Sequence, residues 1–178
     1  MTIRRLVTGT VGGRSVILSD GAVPRHHQYK SIPGFSTALV WATAQSSAHS
    51  DVVEDPITPT SSYVPAPGET RLEIVTFPPD SVYLSKDFDP AAAYAEQQKN
   101  LTGMVEHFDP ENPGMHATPT IDYGIVLEGT IWLELDGGVV EKLEKHSVII
   151  QQGNVHAWRN RSEQAATLAF ILVGARQD

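Results

Sequence analysis

The last third of the chain is cut into six short apolar runs, each bounded by turn residues and each too short for an ordinary helix. Residues 122–127, 130–135, 139–143, 148–151, 156–159 and 167–173 are rich in Val, Ile, Leu, Thr and aromatics, the composition of a pleated, half-buried surface. Asp136-Gly137-Gly138 between two of them is a hairpin signal, because glycine supplies the positive φ that a tight turn demands. Earlier strand candidates are 3–7, 15–18, 38–42 and 71–77, with a turn within Gly9–Gly13. In 71–77, Leu72, Ile74 and Thr76 share one face, and Glu73, Val75 and Phe77 the other. Asp89-Pro90, followed by Ala91 to Gln98, has an N-cap, a proline at the first helical position and strong helix formers. One short helix among some ten closely spaced strands predicts an all-β barrel or sandwich.

The chain reads as a single domain over 1–178, with N-terminal strands, a long loop and the helix in 1–110 and the densest strands in 111–178. The stretch 45–68, with five Ser and four Pro, reads as an arm or lid. Thirteen Lys and Arg against twenty-one Asp and Glu give a net charge of −8, which argues against nucleic acid as a partner. The first 45 residues carry five basic and one acidic residue, so the acidity belongs to the remainder. No run is long and apolar enough to span a membrane or serve as a signal peptide, so a cytoplasmic protein without a membrane partner is expected. On that reading the sequons at Asn100 and Asn160 are chance matches. With no Cys and seven His, any metal would be held by imidazole, carboxylate or water.

Extended chain around 116–122 puts His116, Thr118, Thr120 and Asp122 on one face. Around 154–160 it puts His156, Trp158 and Asn160 on one side. If the two strands face each other, two imidazoles and a carboxylate meet, a ligand set with open positions suited to Fe, Mn, Ni or Zn. The same residues also read as hydrogen-bonded core imidazoles with Asp122 as a strand-end cap, and the spacing leaves both open.

These residues resemble the paired motifs of the cupin superfamily, a jelly-roll β-barrel. Its first motif runs Gly, five residues, His-x-His, three or four residues, Glu, six residues, Gly. His116 takes the first His, Thr118 the second, Asp122 the Glu and Gly129 the closing Gly. In the second motif Gly153, His156 and Asn160 match, Gln151 stands in for a Pro, and His146-Ser147 stands in for a Gly-Asp turn. Pro110 replaces the opening Gly. The resemblance covers about the last 65 residues. It implies a small-molecule enzyme acting in the barrel cavity, with metal-assisted oxygenation, decarboxylation, isomerisation or dehydration of a small acid or aromatic ketone. His116, Asp122 and His156 would be the catalytic and metal-holding residues, with Thr118, Trp158 and Arg159 as substrate contacts. No organic cofactor is indicated. His107 is an outside candidate ligand, Tyr123 is expected to point away from the cavity and pack against a partner sheet, and Asn160 to fix a loop. A metal-free acid/base enzyme, with Asp122 raising an imidazole pKa, and a non-catalytic binding barrel are the alternatives. Strands apolar on both faces, such as that holding Ile125, Val126 and Leu127, need cover on both sides, which predicts a homodimer; the N-terminal strands would extend the sheet or exchange between subunits.

Overall fold

Glycines at the sharpest turns set the strand lengths. Gly137 and Gly138 take φ of 76° and 82°, and the Leu135 N–H closes the hairpin on Val139 O at 2.8 Å. At His146, φ is 73°, the one positive value outside glycine among the described residues. The strain is held by flanking backbone bonds, His146 N–H to Val126 O at 2.9 Å and Val126 N–H to Ser147 O at 3.0 Å. This is the turn the sequence marked as needing such a conformation.

The computed structural model describes residues 2–45, 54–57 and 61–176. Its strands are β1 (Arg4–Val11), β2 (Arg14–Ala22), β3 (Arg25–Gln28), β4 (Ser36–Thr43), β5 (Thr70–Phe77), β6 (Thr120–Glu128), β7 (Thr130–Leu135), β8 (Val140–Glu144), β9 (Val148–Gln152), β10 (His156–Arg159) and β11 (Ala166–Gly174). The helix α1 (Pro90–Asn100) starts where expected, with Asp89 Oδ1 accepting from Ala91 N–H at 2.9 Å and Ala92 N–H at 3.2 Å. The strand β3 was not foreseen. Its residues, Arg-His-His-Gln, lack apolar alternation, and it lies at the edge of its sheet.

Six strands form one sheet in the order β3-β4-β5-β11-β6-β9, and three form another in the order β10-β7-β8. From β6 onward the chain passes back and forth between them, with every neighbouring pair antiparallel. That is a jelly roll built from two facing sheets, rather than one sheet closed by hydrogen bonds into a ring. The core joins Val75, Leu168, Phe170 and Val126 of the larger sheet to Ile131 and Trp158 of the smaller. Excluding water from these side chains is the main source of stability; cutting Leu168 to Ala would cost about 3 kcal/mol.

The hairpin β1-β2 forms a sheet of its own. It is tied to the body by Ile3 and Val23, which pack with Ala38 and Val40 of β4, and by Arg5, which reaches Val40 O and Asp55. Of the expected arm at 45–68, residues 46–53 and 58–60 lie outside the described residues. The described flanks are packed: Ile57 and Tyr63 are buried against Leu39, Leu101 and Val105. Tyr123 points away from the core, as alternation requires, and is exposed. Among the described residues no helix is long and apolar enough to cross a membrane.

Candidate functional site

Period-two alternation through the start of β6 buries Thr118, Thr120 and Asp122 while Ile121 and Tyr123 are exposed. Just upstream, His116 pairs with the first residue of β10. The His116 N–H donates to His156 O at 2.9 Å and the His156 N–H returns to His116 O at 3.0 Å, so the two ring centroids lie 4.3 Å apart. Each ring places Nδ1 3.0 Å from a carbonyl two residues earlier, Gly114 O for His116 and Asn154 O for His156. A carbonyl only accepts, so Nδ1 carries the proton in both rings and Nε2 keeps a bare lone pair. Burial, followed by the neighbouring His116, pushes His156 down to about 4 despite the bond to Asn154. Burial lowers His116 too, against the bond to Gly114 and with help from His107. The expected rise in an imidazole pKa beside Asp122 is therefore reversed, because desolvation of the charged ring dominates.

Asp122 belongs to a second centre, on the same inner face. Burial raises its carboxyl to about 6 against a hydrogen bond from Thr120, whose Oγ1 lies 2.7 Å from Thr118 Oγ1. Its register partner on β9 is Gln151. On β5, Glu73 is completely enclosed, and burial and then the charge of Asp122 push its carboxyl well up. Three atoms here have no hydrogen-bond partner: Glu73 Oε1, Asp122 Oδ1 and Gln151 Nε2.

The structure thus brings His116 and His156 together and engages Asp122 elsewhere. Among the described residues no three His, Asp or Glu side chains gather as a ligand set. His107 is close enough to His116 to affect its charge, but it does not complete such a set.

Trp158 faces inward and is packed in the core, 5.3 Å from Phe170 and 5.9 Å from His156 between ring centroids. Arg159 is held by Glu134 at 2.5 Å and Pro113 O at 2.8 Å, which pins the irregular loop before His116. Asn160 fixes its loop as expected, donating to Phe77 O at 3.0 Å and Gln164 O at 2.7 Å. Glu73 was missed as a site residue. The available signal was a lone charge on the strand face of Val75 and Phe77.

No family model matches the chain. It is 44% identical over 63 residues to the phomopsin biosynthesis cluster protein C' of Diaporthe leptostromiformis, covering 35% of this chain and 33% of that protein. It is 33% identical over 78 residues to a cupin-domain-containing oxidoreductase, srdD, of Neurospora crassa, covering 43% of this chain and 38% of that one. The chain therefore spans well under half the length of these curated relatives. Among solved structures, a cupin family protein with a double-stranded β-helix fold from Methanocaldococcus jannaschii superposes with a TM-score of 0.38 at 9% identity, over 59% of this chain and 70% of that one. The chain is cupin-like, similar in sequence to a cupin-domain protein and jelly-roll in its strand order.

Proposed function

We propose that the chain is a cupin-type enzyme that transfers protons on a small organic acid or aromatic ketone between its two sheets, as in isomerisation, dehydration or decarboxylation. The observation that carries this reading is a set of titratable groups on one inner face whose environments push their pKa values apart. Asp122, at about 6, is the group poised to exchange a proton near neutral pH. His116 and His156 stay neutral and offer Nε2 lone pairs to a substrate O–H or to a developing proton. Oxidoreductase is the description of a relative, and no oxidation step is assigned to this chain's residues.

The test is deuterium wash-in from D2O into a panel of small aromatic ketones and keto acids, followed by NMR. Exchange is expected to survive EDTA and to fall at least a hundredfold in Asp122→Asn and His156→Gln, the scale of a lost general acid or base. Exchange abolished by EDTA and restored by Fe, Mn, Ni or Zn, or exchange undiminished in both variants, would sink the reading.

We also propose that two copies pair through the outer face of β6 and β9, where Ile121, Tyr123, Leu127, Val148 and Ile150 are all exposed on adjacent strands. Light scattering at micromolar concentration should give twice the 19.4 kDa chain mass; a monomer mass overturns it.

A further inference from the structure

Arg159, the last residue of β10, divides its guanidinium between two partners. Its Nε–H donates to Glu134 of β7 at 2.5 Å, and its Nη1–H to Pro113 O at 2.8 Å. Glu134 opposes Ala157 in the register of β7 and β10, so Arg159 reaches it on the diagonal, two residues on and from the same face. The two strands are held by their own ladder, which makes the guanidinium a fixed post for the loop that carries Pro113.

That post meets a turn of defined geometry. Residues 112–115 read Asn-Pro-Gly-Met, Met115 N–H bonds Asn112 O at 2.9 Å, and Gly114 takes φ of 85°. Proline in the second place and a glycine of positive φ in the third make a type II turn. Asp109 tightens its base, accepting from Glu111 N–H at 2.8 Å and from the Asn112 amide at 2.7 Å, while its own N–H bonds Met115 O at 2.8 Å. Each peptide unit is planar, so a bond to one end of a unit orients the other end. Arg159 holds the Pro113–Gly114 unit by its oxygen, and Asn112 O holds the Gly114–Met115 unit by its N–H. The Gly114 oxygen belongs to that second unit and lies 3.0 Å from His116 Nδ1. A Cβ at Gly114 would stand 3.0 Å from Arg159 Nη1, so the guanidinium lies directly against the turn.

We propose that Arg159, braced by Glu134, is a positioning residue for His116: by fixing the 112–115 turn it aims the Gly114 carbonyl at Nδ1 and keeps the ring in its Nδ1–H tautomer. This role differs from the substrate contact that the sequence suggests for Arg159. His156 takes its Nδ1 acceptor, Asn154 O, from the turn between β9 and β10, so the two imidazoles are steered separately. The consequence rests on the proton-transfer reading above: the other tautomer would present an N–H at Nε2, where that reading needs a lone pair.

The test is 15N NMR of the histidine rings in the full chain at about pH 8, where imidazoles are neutral and the shift of each ring nitrogen shows which one carries the proton. His116 is assigned by its loss in His116→Gln. In the wild type both His116 and His156 should be Nδ1–H. In Arg159→Ala the ratio of Nδ1–H to Nε2–H at His116 should fall about tenfold, the worth of one hydrogen bond, and that of His156 less than about twofold. Glu134→Ala should lower the His116 ratio part of the way, and Glu134→Gln, which keeps an oxygen for the Arg159 Nε–H, should restore it. Circular dichroism checks that each variant is folded. An Nε2–H His116 in the wild type, a ratio unmoved in Arg159→Ala, equal movement of both rings, or Glu134→Gln as damaging as Glu134→Ala overturns the proposal. A shifted His116 ratio without any deuterium exchange in the wild type leaves the positioning role standing and removes the proton-transfer reading. Wild-type exchange with an unmoved ratio does the reverse.

Discussion

Glu96 and Glu73 are both tucked against the larger sheet, and the fold treats them in opposite ways. Glu96, on α1, receives Lys30 N–H at 3.0 Å, Ser31 N–H at 2.8 Å, the Ser31 hydroxyl at 2.5 Å and His27 Nε2 at 2.9 Å. Partial burial opposes its charge, but the bonds from Ser31, Lys30 and His27 together outweigh it and pull the carboxyl down to about 2. Glu73 is buried more deeply, leaves Oε1 unmet, and is driven the other way. A carboxylate with every lone pair occupied is a structural clamp. One driven toward its neutral form with an oxygen left unmet has chemical capacity to spare, and stability is lost in keeping it.

The largest consequence falls on the clamp. Glu96→Ala removes four hydrogen bonds to a charge and unseats α1 from the 29–35 loop, so urea denaturation at pH 7 should show a loss of about 3 kcal/mol. Because the folded-state pKa is depressed, this contribution is complete above the ordinary glutamate value of 4.5 and disappears as pH falls toward 2. The gap between wild type and variant should be flat from pH 7 to about 5 and close below that. A gap under about 0.5 kcal/mol at pH 7 would mean that the bonds to Glu96 do not hold the helix.

The unpartnered glutamate should respond with the opposite sign. Glu73→Met keeps the volume and removes a buried carboxyl with an orphan oxygen, so it should stabilise the protein by about 1–2 kcal/mol. The folded-state pKa is raised, so the wild type is penalised as pH climbs above 4.5, where the unfolded chain releases the proton that the fold retains. The gain from Glu73→Met should therefore grow from pH 4.5 to 7. A destabilised variant, or a gain independent of pH, would mean that the carboxyl is satisfied in solution and the contrast with Glu96 is lost.

Why one glutamate was legible in neither role, while the histidines were, follows from where the information lies. His116 and His156 sit in local patterns whose spacing carries the reading, and Gly137, Gly138 and His146 mark turns that any chain must make with those dihedrals. The helix start was legible in Asp89 and Pro90 alone. Glu73 becomes a site residue only because β11 lies between β5 and β6, putting Glu73 beside Phe170 and Phe170 beside Gly124, and no local pattern states that order. Glu96 likewise depends on a helix meeting a loop 65 residues upstream. The same limit explains Asp122. Its place in the motif was readable, but its engagement by Thr120 and the effect of its charge on Glu73 were not.

The smallest effect is the most discriminating. Gln151 is neutral, so removing it changes no charge and its stability effect should be nearly independent of pH. Gln151→Met trades an amide whose Nε2 has no partner for a flexible apolar chain of similar length, which should raise stability by about 0.5–1 kcal/mol in thermal denaturation. If water permanently satisfied Nε2, the same change would strand that water beside a thioether, and stability would fall instead. The sign therefore distinguishes a place built around fixed solvent from one left unfilled for a ligand.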